Sequence, residues 1–143
     1  MKYEFGSPPW LAALHAIFCE RAAALAAKGV KFSYSMCEVY MDAPPQIANI
    51  PGGKAVWYVK IDGPNVVFEL IERDDVDFKA VGDYAALKML GRFDTMHSEQ
   101  RMSELMSIVQ QLIGSGKLKL IGTPLGVSGP LGSIHDAMAP LTA

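Results

Sequence analysis

One carboxylate stands on an otherwise apolar strand face, and it is the residue of this sequence best placed to do chemistry. Between residues 32 and 40, alternate positions point to one side of a predicted strand, and that side carries Phe32, Tyr34, Met36, Glu38 and Tyr40. Apolar surroundings disfavour a charged carboxylate, so we expect the pKa of Glu38 to rise. Such a group can act as a general base or accept a hydrogen bond from a ligand hydroxyl. The alternative is a bulge near Cys37 that turns Glu38 towards water.

Hydrogen-bond donors that could work with Glu38 occur on the same strand and at the start of a helix. Tyr34 and Tyr40 share its face, and His97 directly precedes a predicted helix. General acid–base catalysis needs a few polar groups in a dry pocket and no cofactor. These residues allow a small isomerase or lyase in which Glu38 is the base and Tyr34, Tyr40 or His97 donates hydrogen bonds. For His97, a solvated position in the turn before the helix is the alternative.

The sequence lacks the motifs of several other classes of protein. The three histidines are dispersed without metal-ligand spacing, and no GxSxG, phosphate-binding glycine loop or dinucleotide fingerprint occurs. Asp74, Asp75 and Asp77 lack the further spaced oxygen ligands of a calcium loop. A net charge of −2 with scattered lysines and arginines does not favour nucleic acid. We therefore expect no metal site, no cofactor and no nucleic-acid partner.

The hydrophobic periods predict the elements that must position these residues. A helix starts at the Ser7-Pro8-Pro9 cap and stops at Gly29, a shorter one follows the N-cap Asp83 and ends at Gly91, and others start at Ser98 and Ser133. Alternation predicts strands near 32–40, 55–61, 66–70, 76–80 and 117–120. Short turns favour an antiparallel meander for the first three strands. The prediction is one α+β domain, residues 1–143, with a five-stranded, mostly antiparallel sheet covered by helices.

Three segments in this order resemble the sterol-carrier-protein type-two family. KAVWYVKIDG resembles its second strand, VDFKAVGDYAAL resembles its fourth strand running into a helix, and GKLKLIG resembles its most recognisable strand. The resemblance extends from the first helix to Gly122. It implies a hydrophobic cavity between sheet and helices that takes lipids, sterols or acyl chains.

Applied to this chain, the resemblance predicts a cavity rich in methionine, which adapts to varied apolar shapes. The candidate lining residues are Phe32, Tyr34, Met36, Trp57, Phe68, Met89, Met102, Met106 and Val109. Alternatively, these side chains simply fill a core. Three segments depart from the family and would shape the mouth: the loop 43–53, the stretch 96–115 and the proline- and glycine-rich segment 123–130. The identity of the ligand is therefore not carried over.

The resulting functional expectation is a cytoplasmic protein that binds a hydrophobic small molecule, such as a steroid, fatty acyl group or polycyclic compound, as a carrier or sequestering protein. The cofactor-independent isomerase or lyase is the rival. A third alternative is an accessory partner of a larger enzyme, or a homodimer, because half of the residues are hydrophobic. We expect no stable membrane insertion, and we expect Cys19 and Cys37 to be reduced core cysteines.

Overall fold

The computed structural model describes residues 1–125 and 129–143. Of the predicted mouth segment 123–130, residues 126–128 therefore lie outside the described residues. The helices are α1 (Pro8–Ala27), α2 (Tyr84–Arg92), α3 (Glu99–Gly114) and α4 (Ile134–Met138), followed by a short 3₁₀ helix at Ala139–Leu141. The strands are β1 (Ser33–Met41), β2 (Ala55–Asp62), β3 (Asn65–Glu69), β4 (Phe78–Asp83) and β5 (Leu118–Gly122).

The strands form one sheet in the order β3-β2-β1-β4-β5. The first three strands form the predicted antiparallel meander. The chain then crosses the sheet, so that β4 pairs in parallel with β1, and β5 adds to β4 in the antiparallel direction. The α+β class and the mostly antiparallel sheet are confirmed. The crossing makes β1 the central strand of the sheet.

Strand β1 keeps a continuous register along its length. Its residues from Ser33 to Tyr40 pair one by one with β2, and Glu38 lies opposite Trp57 on one side and Ala80 on the other. No bulge interrupts the strand, so the alternation holds and Glu38 shares the helix-covered face with Met36 and Tyr40. The alternative in which a bulge turns Glu38 towards water is therefore wrong.

Helix α1 packs its apolar stripe on the sheet. The Ser7 hydroxyl accepts a hydrogen bond from the backbone N–H of Trp10 at 3.4 Å, and Leu14, Phe18 and Ala22 are buried. By length and composition alone this helix could cross a membrane, a test that buried core helices and N-terminal signal sequences also pass. In the fold its stripe belongs to the main apolar core.

Helices α2 and α3 correct two expectations. Helix α2 continues past Gly91 to Arg92. The glycine does not end the helix but leaves room for Phe5, since a Cβ there would lie 2.7 Å from its ring. On α3 the three- and four-residue spacing of the apolar residues from Met102 to Ile113 predicts one buried face, but that face is only partly buried. Met106 is 49% exposed and Ile113 is 38% exposed, because α3 contacts the sheet mainly at its edge strand β5.

Loops rather than helices cover the opposite face of the sheet. There Cys37, Val39 and Val56 form a second buried cluster, against which Val76 packs. Strand alternation over 76–80 predicts that Val76 shares a face with Phe78 and Ala80. That prediction is wrong: Val76 lies on the opposite face of the sheet, because β4 begins only at Phe78. Cys37 is a core thiol as expected, but Cys19 is exposed on α1, because it falls off the stripe that faces the sheet.

Candidate functional site

A cavity of about 330 Å³ lies between the helix-covered face of the sheet and the helices. Its walls are mainly apolar and come from every layer of the fold. They include Trp10, Leu14 and Phe18 from α1, Met36, Trp57, Phe78, Ala80, Leu118 and Leu120 from the sheet, and Leu87, Leu90, Leu105, Met106, Val109 and Met138 from the other helices. Its polar side chains are Glu38, Ser133 and His135.

The cavity opens beside the edge strand β5. Met106 on α3 and Leu120 on β5 both line it, and yet they are 49% and 39% exposed. Side chains that face the cavity and solvent together mark its mouth. Leu125, the last described residue before the gap at 126–128, also lines it and is half-buried.

Four of the nine predicted lining residues, Met36, Trp57, Met106 and Val109, line the cavity. The structure places the other five elsewhere. Phe32 and Tyr34 share the face of Met36, but they stack on each other at 6.2 Å near the start of β1. The Tyr34 hydroxyl there donates to the carbonyl oxygen of Thr123 at 2.6 Å. Both rings therefore lie at the end of the sheet, outside the cavity.

Phe68, Met89 and Met102 also lie outside the cavity. The ring of Phe68, on β3, stacks between His15 at 4.8 Å and Trp57 at 5.8 Å. Met89 is 47% exposed on the outer side of α2, and Met102 lines a separate surface depression together with His97. Helical periodicity identifies the apolar face of a helix, but it does not say which neighbouring element each residue of that face will contact.

Glu38 supplies the carboxyl group in the cavity wall, and two hydrogen bonds in series lead to it. The Nε1–H of Trp57 donates to the hydroxyl of Tyr40 at 2.7 Å, and that hydroxyl donates to Oε1 of Glu38 at 2.7 Å. An indole N–H can only donate, so the hydroxyl proton of Tyr40 is left for the carboxylate. The sequence of donors is therefore fixed from Trp57 through Tyr40 to Glu38.

The electrostatics of this group follow from burial. Desolvation raises the pKa of Glu38, while the hydrogen bond from Tyr40 and the nearby indole N–H of Trp57 oppose that rise. No salt bridge to Glu38 occurs among the described residues. Burial and the neighbouring Glu38 hold the pKa of Tyr40 well above its usual value. Tyr40 therefore remains a proton donor in its hydrogen bond throughout the neutral range.

The four predicted catalytic residues do not form one site. Glu38 and Tyr40 are in contact, but the Tyr34 hydroxyl is occupied at Thr123. His97 is exposed, in the depression lined by Thr95 and Asp136, and its backbone has a positive φ of 56°. The four residues predicted to form one catalytic site are thus divided between the cavity, the end of the sheet and the surface.

His135 is a polar residue of the cavity that the sequence interpretation did not assign to it. Its Nε2 lies 2.7 Å from the carbonyl oxygen of Phe93, so that nitrogen carries a proton. The Ser133 cap, which accepts from the N–H of Asp136 at 3.0 Å, does predict a helix start around His135. Nothing in the local sequence says that the first turn of α4 would face the cavity. No group of three or more metal-binding side chains occurs in the parts of the chain that the structure describes.

Comparison with known proteins connects this arrangement to a class of folds. No protein-family model matches the chain, and no curated protein matches it. The solution structure of the conserved hypothetical protein TT1886 from Thermus thermophilus, described as possibly a sterol carrier protein, aligns over 100% of this chain and 94% of that one, with 13% identity and a TM-score of 0.51.

Two further solved structures are similar over 96% of both chains. One is the UbiJ-SCP2 ubiquinone synthesis protein, with 15% identity and a TM-score of 0.46, and the other is sterol carrier protein 2, with 12% identity and a TM-score of 0.48. The protein is an α+β protein with a sheet on one side of its cavity and helices on the other. The similarity to TT1886 shows that its fold is the SCP2-like fold, as the three sequence segments predicted.

Proposed function

We propose that this protein binds a hydrophobic small molecule, such as a steroid, fatty acyl group or polycyclic compound, as a carrier or sequestering protein. The observation that supports the proposal best is the cavity of about 330 Å³ with its apolar walls and open side at Met106 and Leu120. A core filled for stability alone is close-packed and leaves few spaces larger than a water molecule. The exposed free thiol of Cys19 fits a reducing compartment, and we propose that the carrier acts in the cytoplasm.

The size of the cavity limits the ligand. Small-molecule pockets span roughly 300–1,000 Å³, and an apolar cavity of about 150 Å³ admits benzene. The present cavity therefore encloses roughly two or three fused rings, and a longer ligand would protrude past Met106. A rigid ligand loses less conformational freedom on binding than a flexible chain of equal area. If about 300 Å² of apolar ligand surface is buried at ~25 cal/mol per Å², the gross gain is about 7 kcal/mol, and the cost of association reduces it, so we expect a dissociation constant weaker than about 10 μM.

Native mass spectrometry with phenanthrene, estradiol and dodecanoic acid tests the proposal. Val109→Phe fills the cavity from α3, and Val67→Phe makes the same change at a residue of β3 that is 46% exposed. We expect the wild type and Val67→Phe to bind at least one of these compounds, and Val109→Phe to bind it about tenfold or more weakly. Absence of binding by all three at about 100 μM would overturn the carrier proposal.

A second candidate is the cofactor-independent isomerase or lyase, favoured by the position of Glu38 in the cavity wall. A desolvated carboxyl with a raised pKa is suited to remove a proton from a ring carbon and return it to another. Tyr40 would hold the carboxyl group in place through its hydrogen bond, whereas Tyr34 and His97 lie outside the cavity. Glu38→Gln separates the two functions: it spares apolar binding in a carrier and abolishes turnover in an enzyme. Turnover that survives Glu38→Gln would rule out Glu38 as the base.

A further inference from the structure

One oxygen of the Glu38 carboxyl group has no hydrogen-bond partner among the residues that the structure describes. Oε1 accepts the Tyr40 hydroxyl, whereas Oε2 makes no hydrogen bond within the described residues. Among those residues no buried side-chain polar atom lacks a partner, so Oε2 is not sealed in the core. Since Glu38 lines the cavity, its free oxygen reaches the cavity space.

The carboxyl group is held on one side and has open space on the other. Tyr40 holds Oε1 from along β1, and Trp57 on β2 holds the Tyr40 hydroxyl in turn. On the other side Glu38 faces Ala80 of β4, whose methyl group leaves room beside the carboxyl. From the mouth at Leu120 on β5, a ligand would cross β4 before it reaches β1. Glu38 therefore meets the end of the ligand that enters first.

A hydroxyl group is the ligand group that suits this oxygen. An ionised carboxylate accepts hydrogen bonds only, whereas a protonated one can also donate. A hydroxyl both donates and accepts, so it pairs with either form. A ketone or an ether pairs only with the protonated form, and a carboxylate entering first meets a like charge. An unsubstituted hydrocarbon leaves Oε2 unpaired in a space without water, which is costly.

We propose that the ligand is a rigid apolar molecule with a hydroxyl group at its inner end, and that Glu38 Oε2 selects it by accepting the hydrogen bond of that hydroxyl. This inference rests on the proposed binding function and adds the ligand class and the residue that determines specificity. Tyr40 and Trp57 are positioning residues, since they act on the ligand through Glu38. A fatty acid would bind with its carboxylate at the mouth.

Three compounds with one ring system test the inference: 2-naphthol, 2-methoxynaphthalene and naphthalene, titrated by calorimetry against the full-length protein. The first has a donor, the second only an acceptor, and the third neither. We expect 2-naphthol to bind about tenfold or more tightly than the other two, since hydrogen bonds to charged groups are the stronger ones. In Glu38→Leu we expect the three affinities to fall within about threefold of one another, with naphthalene still bound.

The outcomes separate the inference from the function on which it rests. Equal binding of the three compounds to the wild type, or a preference for 2-naphthol that persists in Glu38→Leu, would overturn the inference and leave the binding function standing. Failure of all three to bind at about 100 μM would overturn the binding function and the inference with it. If Glu38→Leu does not fold, carbon-13-labelled glutamate in the wild type decides: the Glu38 carboxyl resonance should shift with 2-naphthol and not with naphthalene. The same resonance unmoved by 2-naphthol would contradict the inference.

Discussion

The Tyr40 hydroxyl lies 2.7 Å from Oε1 of Glu38, two positions away on the same strand face. Residues at i and i+2 of a strand point the same way, so this contact is local and forms wherever β1 is extended. Its direction, however, depends on Trp57 from the neighbouring strand, which occupies the acceptor side of the hydroxyl. Together the three residues hold a carboxyl group at a defined position in an otherwise apolar wall.

Tyr40→Phe should destabilise the protein by about 1–3 kcal/mol, because it leaves the indole N–H of Trp57 and Oε1 of Glu38 without their partner. Tyr58→Phe is the matched control: Tyr58 is also buried, at 4% exposure, but its hydroxyl makes no hydrogen bond within the described residues. Urea unfolding of both variants gives the comparison. Equal losses in the two would mean that the hydrogen bonds of Tyr40 contribute nothing specific.

The stability of the protein should respond to pH through Glu38 in a predictable direction. Its pKa in the folded state lies above the value of 4.5 expected for an unfolded chain. Between those two values the folded state holds the proton more tightly, so stability falls as pH rises from 4.5 through the folded pKa and then levels. Glu38→Gln removes this contribution and leaves those of Glu72 and Asp75 in place.

The difference in free energy of unfolding between Glu38→Gln and the wild type isolates the effect of that group. It should move in favour of the variant as pH increases from 4.5. Guanidinium unfolding at several values up to about pH 8 measures it. A difference that stays constant, or that moves in favour of the wild type, would show that the pKa of Glu38 is not raised.

Two helical glycines should respond oppositely to alanine. At Gly91 a new Cβ would lie 2.7 Å from the Phe5 ring, whereas at Gly114 it would meet no atom within 4 Å. Alanine favours a helix by up to about 1 kcal/mol, so Gly114→Ala should be neutral or stabilising. Gly91→Ala should destabilise by about 1–3 kcal/mol despite the same gain, because Phe5 must move within the core. Thermal unfolding measures both; a stabilised Gly91→Ala would contradict the packing.

The loop over the second face of the sheet should depend on Lys79. This lysine is 6% exposed, and its Nζ lies 2.9 Å from Glu72 and 2.6 Å from Asp74. The same loop covers Cys37, whose Sγ lies 3.8 Å from the carbonyl oxygen of Ile71. Burial raises the pKa of the Cys37 thiol, so it should react slowly with thiol reagents.

In a Cys19→Ser background, where Cys37 is the remaining thiol, Lys79→Met should increase the rate of Cys37 modification about tenfold as the loop opens more often. Lys60→Met makes the same substitution at an exposed lysine of β2 and should leave the rate unchanged. An aromatic disulfide reagent followed by absorbance gives the rates. Equal rates in the two variants would show that the ion pairs do not hold the loop.

How much of the site the sequence predicted can be judged residue by residue. The alternation on β1 placed Glu38 on the apolar face, and the structure puts it in the cavity with Met36 beside it. His135 could not be found in this way. Its local pattern predicts a helix start, but its exposure to the cavity depends on where α4 docks, and that contact is remote in sequence.

By itself, the sequence determined the local elements of this protein, because period and capping are short-range effects. The caps at Ser7, Asp83, Ser98 and Ser133 are all present as hydrogen bonds. Only the tertiary structure decided which faces meet. The parallel pairing of β4 with β1 sets Ala80 beside Glu38, and the docking of α3 exposes Met106 at the mouth. Those contacts join residues far apart in the chain, and each is decided by the packing of whole elements, which no local pattern encodes.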